Sequence, residues 1–525
     1  MHVSSPSPRA EDGFSMVVVL AVMMIGTMLA IAALSLTTGD QPELRKSLAV
    51  KQAYAAAEAG LHYYLFHLAQ DNQYWAKCTT VAAPGPGQPN PVNQRWSGSG
   101  SDPRVWRTLP GDDSSYTIEL LPVNGASSCD PANPALTMIN TDTGMMRIRA
   151  SGRAGAAKRS IIATLRRRSF IDYLYFTDFE TSDPVTYTGN PYTAAEAQTN
   201  CVKYRAQRPS SCTVISFANN ANVNDKINGP FHTNDDIIVC GSPTFGRRPG
   251  DVVEVSGPAP GWDNSCSNSN PIFLGTWQTA AKSLAMPPTN SSLSTLVAAA
   301  YKFTGTTTIR LSTANMTVTT GGTTTTKSYP ANGLIYVKSG SCGTTIAPPV
   351  QDYSEPSGCA NVYVSGTYSQ NLTIASEKDI IIRPPVGDAT ANGDLKRSGD
   401  VMLGLIANNF IRVYHRVTRS GTPTPTSCTN SLPEMDDVTI EAAMLSLSHS
   451  FIVDNSACGN GLGTLTVTGS IAQRFRGPVG TLSPTGFSKA YTYDDRLRYR
   501  EPPFFLVPVA AAWRIVRQNE QVPAR

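Results

Sequence analysis

The residues with the clearest potential for chemistry are His232, Asn234, Asp235 and Asp236, which lie in one short segment. Carboxylates beside an amide oxygen are ligands that calcium prefers, and a carboxylate pair is also the catalytic unit of enzymes that cleave polysaccharides. Adjacent side chains of an extended strand point to opposite faces, so Asp235 and Asp236 can share a site only across a turn. Corner residues that form Asx-type turns are therefore the favoured interpretation, and both aspartates are weak metal candidates.

Other signatures of catalysis are absent from the sequence. It contains no phosphate-binding glycine loop, no Gly-x-Ser-x-Gly elbow, no His-Glu-x-x-His pair and no context for a nucleophilic cysteine. His415 and His449 lie in strand-like segments, and we interpret them as corner or surface residues. We therefore expect no catalytic residue, no enzymatic activity and no cofactor.

Ten cysteines follow the hydrophobic N-terminal segment. None forms a Cys-x-x-Cys pair and histidine is scarce near them, so zinc ligation explains them poorly. An even number of separated cysteines is typical of disulfide-bonded proteins from oxidising compartments. Very many pairings are compatible with ten cysteines, and the locally simplest joins neighbours, as Cys78–Cys129, Cys201–Cys212, Cys240–Cys266, Cys342–Cys359 and Cys428–Cys458.

An uncharged apolar segment covers residues 14–36. As a helix, its roughly 23 residues would extend about 34 Å, enough to cross the hydrocarbon of a bilayer. The polar leader before it holds one basic residue, Arg9, followed by Glu11 and Asp12, so it matches an ordinary secretory signal peptide poorly. The pattern predicts one transmembrane helix.

A second helical pattern follows a polar break at residues 37–42. Apolar and aromatic side chains recur there at spacings of three and four, including Tyr54, Leu61, Leu65 and Leu68. The spacing predicts an alanine-rich amphipathic helix that lies against the domain after it.

The leader ends in Gly13, and Phe14 opens the apolar segment, an arrangement that resembles a type IV prepilin. Residues 51–68, KQAYAAAEAGLHYYLFHL, resemble in particular the PilX-type minor pilins and related actinobacterial pilus-assembly proteins. The resemblance implies cleavage after Gly13 and methylation of Phe14. Major pilins carry a glutamate at the fifth mature position, where this chain has Val18, so the resemblance implies a minor pilin.

This resemblance implies a life cycle and a set of partners. We expect a single-pass membrane protein held through residues 14–36, which then joins an extracellular pilus with other pilin subunits and the assembly machinery. A surface glycan or host ligand is a further expected partner. The alternatives are an uncleaved, membrane-anchored adhesin or glycan-binding protein and, less favoured, a polysaccharide-processing enzyme.

Composition favours a mainly β fold after the N-terminal helix. Charged residues make up 16% of the chain, while glycine and proline number 41 and 38, which is typical of short strands and turns. The sequence predicts a leader, a pilin helix, an amphipathic helix with a β meander, and a β-rich extracellular domain, at 1–13, 14–36, 37–170 and 171–525.

Strand-like patterns cover residues 116–121, 145–150 and 160–165. A long helix followed by a small antiparallel meander is the layout of a pilin head, where the helix covers one face of the sheet. Further on, the Thr-rich residues 304–326 predict an exposed hairpin that turns near Gly321.

A recurring phrase of strand, polar corner and strand marks the chain from Phe170 to its end. The later four phrases start about 20 to 40 residues apart, and stacked units at that spacing predict a parallel β-helix, with a β-sandwich as the alternative. After them, Pro502, Pro503 and Trp513 predict a cap over the open end of the stack. The phrase occurs at residues 231–239, 372–382, 403–413, 443–453 and 465–475.

Charge gives little support for nucleic-acid binding. The formal net charge is only +4 and the basic residues are spread along the chain. Arg166, Arg167 and Arg168 are the densest basic run, and we expect them to be solvated or paired with Asp172 and Asp178. Nucleic acid is therefore not an expected partner.

Overall fold

The computed structural model describes most of the chain. Gly13 and the rest of the leader lie outside the described part, and the side chains of residues 14–15 and 32–42 are also not described. The described residues are 14–71, 74–76, 106–127, 129–130, 134–140, 143–219, 224–343, 357–385, 392–420, 427–481, 485–509 and 511–525.

The described chain is mostly β. Its α-helices are α1 (Phe14–Gln70), α2 (Pro134–Met138) and α3 (Ala194–Asn200). The strands in chain order are β1 (Arg107–Thr108), β2 (Ser115–Leu121), β3 (Met145–Ala154), β4 (Ala157–Arg167), β5 (Tyr175–Ser182), β6 (Phe217–Asn219), β7 (Lys226–Asn228), β8 (Phe231–Thr233), β9 (Ile237–Gly241), β10 (Thr244–Phe245), β11 (Val252–Val255), β12 (Trp262–Asn264), β13 (Ile272–Phe273), β14 (Thr276–Gln278), β15 (Lys302–Thr304), β16 (Thr307–Leu311), β17 (Met316–Thr320), β18 (Thr323–Lys327), β19 (Leu334–Lys338), β20 (Val362–Tyr368), β21 (Leu372–Ser376), β22 (Ile380–Ile382), β23 (Leu395–Arg397), β24 (Leu403–Ala407), β25 (Ile411–Val413), β26 (Val417–Ser420), β27 (Ser427–Asn430), β28 (Thr439–Ser446), β29 (Phe451–Val453), β30 (Gly461–Arg476), β31 (Gly486–Tyr493) and β32 (Trp513–Gln521).

The prediction of a membrane span is wrong. Among the residues that the structure describes, no helix is both long and apolar enough to cross a bilayer. The prediction that residues 14–36 hold the protein in the membrane as a single span is therefore not supported by the structure.

The second half of α1 packs on a five-stranded antiparallel sheet with the order β1-β2-β3-β4-β32. The helix contributes Ala57, Leu61, Tyr64 and Leu68 to a shared core, as its apolar spacing predicts. The three strands predicted between residues 116 and 165 correspond to β2, β3 and β4. The contact is close at Gly152, where an added Cβ would lie 2.0 Å from the carbonyl oxygen of Ala53.

The last strand belongs to this same sheet. β32 pairs antiparallel with β4, and Trp513 packs edge-on against Trp75 at 6.2 Å between ring centroids. The structure therefore differs from the predicted cap, because Trp513 fills the core beside α1 and does not cover a stack of strands. The β-rich region is inserted between two neighbouring strands of the first sheet.

The inserted region, residues 175–493, is built mainly from parallel strand pairs and is called the parallel stack below. One face carries an aligned row of inward side chains across nine strands, which form a continuous apolar core. In spatial order the row is Ile335, Ile374, Leu405, Met444, Ile471, Tyr175, Phe231, Val253 and Trp277.

The chain order along this row is unusual. The chain starts in the middle at β5 and builds outward through β8, β11 and β14. It restarts at the other end with β15 and β19 and returns through β21, β24 and β28 to β30, which pairs with β5. The link at residues 279–301 lies along the stack, where Asn290 donates to the carbonyls of Ser376 (2.7 Å) and Ile406 (3.2 Å).

The predicted strand–corner–strand phrases form successive layers of the stack. Residues 372–382 form β21 and β22, residues 403–413 form β24 and β25, and each strand pairs in parallel with its counterpart in the next phrase. The Thr-rich hairpin is also present, since β17 and β18 pair antiparallel around Gly321 and Gly322.

Candidate functional site

His232 is buried at the centre of a hydrogen-bonded cluster. It lies in β8 directly opposite Glu254 of β11, so parallel pairing places the two side chains on one face. Its Nδ1 is 2.8 Å from Glu254 Oε1 and its Nε2 is 3.0 Å from Asn234 Oδ1. The Asn234 amide donates to Asp178 Oδ1 and to the Leu284 carbonyl, each at 2.9 Å. Every polar atom named here therefore has a protein partner.

Glu254 accepts two further hydrogen bonds, from Tyr173 Oη at 2.5 Å and from Arg168. Burial alone would raise the pKa of Glu254, but the hydrogen bond and charge of His232, with Tyr173 and Arg168, hold it below its usual value. Burial, with the nearby Glu254 charge, raises the pKa of Tyr173 well above its usual range. Glu254 is therefore an ionised carboxylate that fixes its neighbours.

Asp235 is completely engaged by the surrounding backbone and by one arginine. Its carboxylate accepts from the backbone N–H groups of Glu180 (3.0 Å) and Arg205 (2.6 Å) and from Arg208 Nη1 (2.5 Å). Asp235 is 1% exposed, so its oxygens are not available to a metal or a substrate. It closes the corner between β8 and β9.

Asp236 points elsewhere, as expected for adjacent residues. Its backbone N–H donates to Asp235 Oδ1 at 2.9 Å, and its own carboxylate lies against Gly257, where an added Cβ would be 1.6 Å from Oδ1. Burial, and then the charge of Asp235, raises the pKa of Asp236. Burial also raises the pKa of Asp178. The carboxylates do not converge on one reacting atom.

A metal centre is not formed by the described residues, since no group of three His, Cys, Asp or Glu side chains in them could hold an ion. The two other candidate histidines, His415 and His449, lie at corners of the stack. His449 lies 3.1 Å from the Asp183 carboxylate and stacks on Phe410, and His415 Nδ1 lies 3.1 Å from the Asp454 carbonyl oxygen.

Sequence reasoning missed Glu254, Tyr173 and Arg168 as partners of His232. The available signal was the single acidic residue inside the apolar run Val252–Val255, because a buried carboxylate requires partners. The partners themselves depend on which strands are neighbours. That order was not evident from the sequence.

The predicted basic run at β4 is not a free surface patch. Arg166 is 1% exposed, pairs with Asp172 at 3.1 Å and donates to the backbone carbonyls of Leu497 and Arg498. Arg168 is bound to Glu254. These arginines tie the antiparallel sheet to the parallel stack.

The structure joins four neighbouring cysteine pairs in the stack, and Cys129 is also disulfide-bonded. Cys78 lies outside the described residues. Each observed bond closes a loop with a sequence separation between 11 and 30, which restricts the unfolded chain. The four bonds are Cys201–Cys212, Cys240–Cys266, Cys342–Cys359 and Cys428–Cys458.

Residues 16–31, near the start of α1, are apolar and exposed on every side. Large side chains on all faces of residues 16–31 are exposed by 48% to 72%. The second half is covered by the antiparallel sheet. A helix that is apolar all round requires burial against other surfaces, so this segment is a candidate assembly site. The predicted cleavage and methylation point at Gly13 and Phe14 lies outside the described side chains.

A second candidate surface is a threonine groove of about 380 Å³ on the outer face of β16 to β18. Thr308, Thr319 and Thr324 are adjacent across the three strands. Beside them the guanidinium of Arg383 lies 4.7 Å from the ring centroid of Tyr363. A row of hydroxyl groups beside a guanidinium could bind a sugar through hydrogen bonds.

No known protein family matches the chain, and no curated protein matches it. Among solved structures, it is similar to the crystal structure of the competence-associated pilin ComZ from Thermus thermophilus. The two chains are 12% identical over 91% of this chain and 98% of the other, with a TM-score of 0.24. A TM-score this low does not establish a shared fold.

Proposed function

We propose that this chain is a pilin-like structural subunit, with α1 as its assembly element and the parallel stack as the part it displays. The observation that carries the proposal is the division of α1 into two halves. The second half is packed on the antiparallel sheet, while residues 16–31 expose apolar side chains on all sides. Equivalent helices of other pilin subunits would cover those side chains in a filament, each helix burying apolar surface against its neighbours.

Two finer elements belong to the same proposal. The PilX-like N-terminal sequence supports cleavage after Gly13, with Phe14 as the new terminus, and Val18 supports a minor subunit. We further propose that the parallel stack is a parallel β-helix. Its layers pair in parallel with the next layer over nine strands, whereas sandwich sheets are antiparallel.

The assembly role is tested with Ile25→Asp in the full chain, expressed in its own cells. Ile25 is 58% exposed, so the change leaves the described core intact while placing a charge in the helix–helix contact. The variant should be lost from sheared filaments although the cells still contain it. Leu432→Asp, at a 69% exposed apolar residue of the stack, is the matched control and should remain in filaments. Normal recovery of Ile25→Asp in filaments would contradict the proposal.

Processing is tested separately by sequencing the N-terminus of the mature protein. The expected first residue is a methylated Phe14. Recovery of the chain with Met1 attached, in cells that process their other pilins, would remove the prepilin part of the proposal.

A second candidate function is glycan binding at the threonine groove, which would make the subunit an adhesin. It is favoured by the aligned hydroxyls of Thr319 and Thr324, which line the groove together with Arg383. The double change Thr319→Val and Thr324→Val removes hydroxyls without changing shape, and should abolish binding on an array of neutral oligosaccharides. Thr326→Val, outside the groove, should not. Unchanged binding by the double variant, or no binding by the unchanged chain, would dismiss this function.

A further inference from the structure

A large cleft separates the antiparallel sheet from the parallel stack. Its volume is about 1000 Å³, at the upper end of the range of ~300–1,000 Å³ for ligand sites in proteins. One wall is formed by β4 and β32, and the other by β11 and β14. Tyr173 and Glu254 of the His232 cluster line it, so that cluster holds the two walls together.

A β-bulge shapes the wall formed by β32. Arg514 lies opposite Arg166 of β4, but the register shifts after Ile515, so that Arg517 lies opposite Thr164. In a regular strand, residues three apart point to opposite faces. The extra residue at the bulge instead places Arg514 and Arg517 on the same face of the sheet. Their partners on β4, Arg166 and Thr164, are two residues apart and also share a face. Both arginines line the cleft.

The cleft is positively charged. Four arginines and two acidic residues line it, and one of the arginines, Arg498, is paired with Asp251 and Asp495 outside the lining. Arg168 is neutralised by Glu254, and Arg514 reaches Asp172 at 3.2 Å while remaining 53% exposed. Arg517 is exposed and makes no ion pair with the described residues. The unbalanced charge is therefore on β32, facing the cleft.

An aromatic ring and neutral polar groups complete the lining. Tyr499 is 67% exposed, and Gln278 and Thr164 offer an amide and a hydroxyl group. Arginine forms paired hydrogen bonds with planar carboxylates and with sulfates, and an exposed aromatic ring can stack on a sugar ring. The lining thus combines anion recognition with a surface for a flat polar ring.

We propose that this cleft binds an acidic oligosaccharide, with Arg514 and Arg517 holding a carboxylate or sulfate group and Tyr499 contacting the sugar ring. A single-stranded nucleic acid also carries anions and rings. Its bases stack on a series of aromatic side chains, however, and Tyr499 is the only strongly exposed aromatic residue among those that line the cleft. The proposal is independent of filament assembly, which depends on residues 16–31.

Calorimetry on the full chain tests the proposal with three probes: tetragalacturonate, a sulfated tetrasaccharide and a single-stranded oligonucleotide. At least one acidic tetrasaccharide should bind, more weakly as salt is added, while a neutral tetrasaccharide should not. Arg514→Gln with Arg517→Gln should weaken binding by about tenfold or more, since each replaces a charge-assisted hydrogen bond.

The matched control is Arg159→Gln, which removes a half-exposed arginine from the far end of β4, where it pairs with Glu520 at 3.4 Å. This variant should bind the acidic tetrasaccharide as the unchanged chain does. A Tyr499→Leu variant should also weaken binding, and its exposure means that the fold tolerates it. Equal binding by the double arginine variant, binding of the oligonucleotide alone, or binding of none of the probes would overturn the proposal.

Discussion

The antiparallel sheet with α1 and the parallel stack are held together by different means. The sheet is covered by one helix, whose backbone comes close to Gly152 because that residue has no side chain. The stack covers itself, and its corners contain buried ion pairs, including Arg412 with Asp379 and Asp454. Close fit at a single interface therefore stabilises the first region, while repeated apolar rows and charged corners stabilise the second.

The largest effect is expected from Arg412→Ala in the stack. The Arg412 side chain is completely buried, with Nη1 at 3.0 Å from Asp379 Oδ2 and Nε at 2.9 Å from Asp454 Oδ1. Its removal leaves two carboxylates without this cation, at a cost of about 3–5 kcal/mol in the free energy of unfolding. Denaturant unfolding followed by hydrogen exchange should show the loss in β25 and in its paired strands β22 and β29, with little change in α1.

The control for this substitution is Arg416→Ala, at an exposed arginine on the same segment, which should leave stability nearly unchanged. Equal destabilisation of α1 and the stack by Arg412→Ala would show that the two regions unfold together. The two regions would then differ in the contacts that hold them together, but they would not unfold independently.

A smaller effect is expected from Gly152→Ala in the first region. The added Cβ would lie 2.0 Å from the Ala53 carbonyl oxygen and 2.5 Å from the Ala57 nitrogen, so α1 must move away from the sheet. Such overpacking costs about 1–3 kcal/mol and should appear as faster exchange in α1 and β3. Gly340→Ala in the stack, where the nearest atom would be 3.4 Å away, is the comparison variant. Unaltered exchange in α1 would refute a tight helix–sheet contact.

The smallest effect concerns Glu501, which lies where the stack rejoins the sheet. Burial raises its pKa, and the charges of Arg166 and Arg167 only partly offset this. A raised pKa means that the folded chain holds the proton more tightly. Its stabilising contribution is complete below the ordinary value of 4.5 and is lost as pH rises through the folded value. Glu501→Gln should therefore flatten the decline in melting temperature above about pH 4.5.

Glu196→Gln provides a control of opposite sign. Hydrogen bonds from Thr193 lower the pKa of Glu196, so its contribution is present above 4.5 and is lost as pH falls. Melting temperatures of both variants across this range check the two signs. An unchanged slope for Glu501→Gln would mean that its carboxyl is equally easy to ionise in the folded and unfolded chain.

Local patterns predicted much of the local structure. The period of α1 between residues 54 and 68, the strands β2 to β4 and the corners at residues 372–413 follow from side-chain alternation and helical spacing. The pairing of β32 with β4 could not be predicted from local patterns, because it joins residues more than three hundred positions apart. It depends on the whole insertion between them. The partners of His232 were hidden because they depend on which strands are neighbours in the stack.

Because β5 and β30 lie in the middle of the stack, both ends of the stack are far from the join to the antiparallel sheet. Nine strands at about 4.8 Å separation span roughly 38 Å. The connection from β14 to β15, residues 279–301, could extend about 80 Å at most. A layer gained or lost at either extremity would therefore be absorbed by slack in this connection, without disturbing the join to the sheet. The length of the parallel stack could therefore differ between related proteins, while its connection to the antiparallel sheet stays the same.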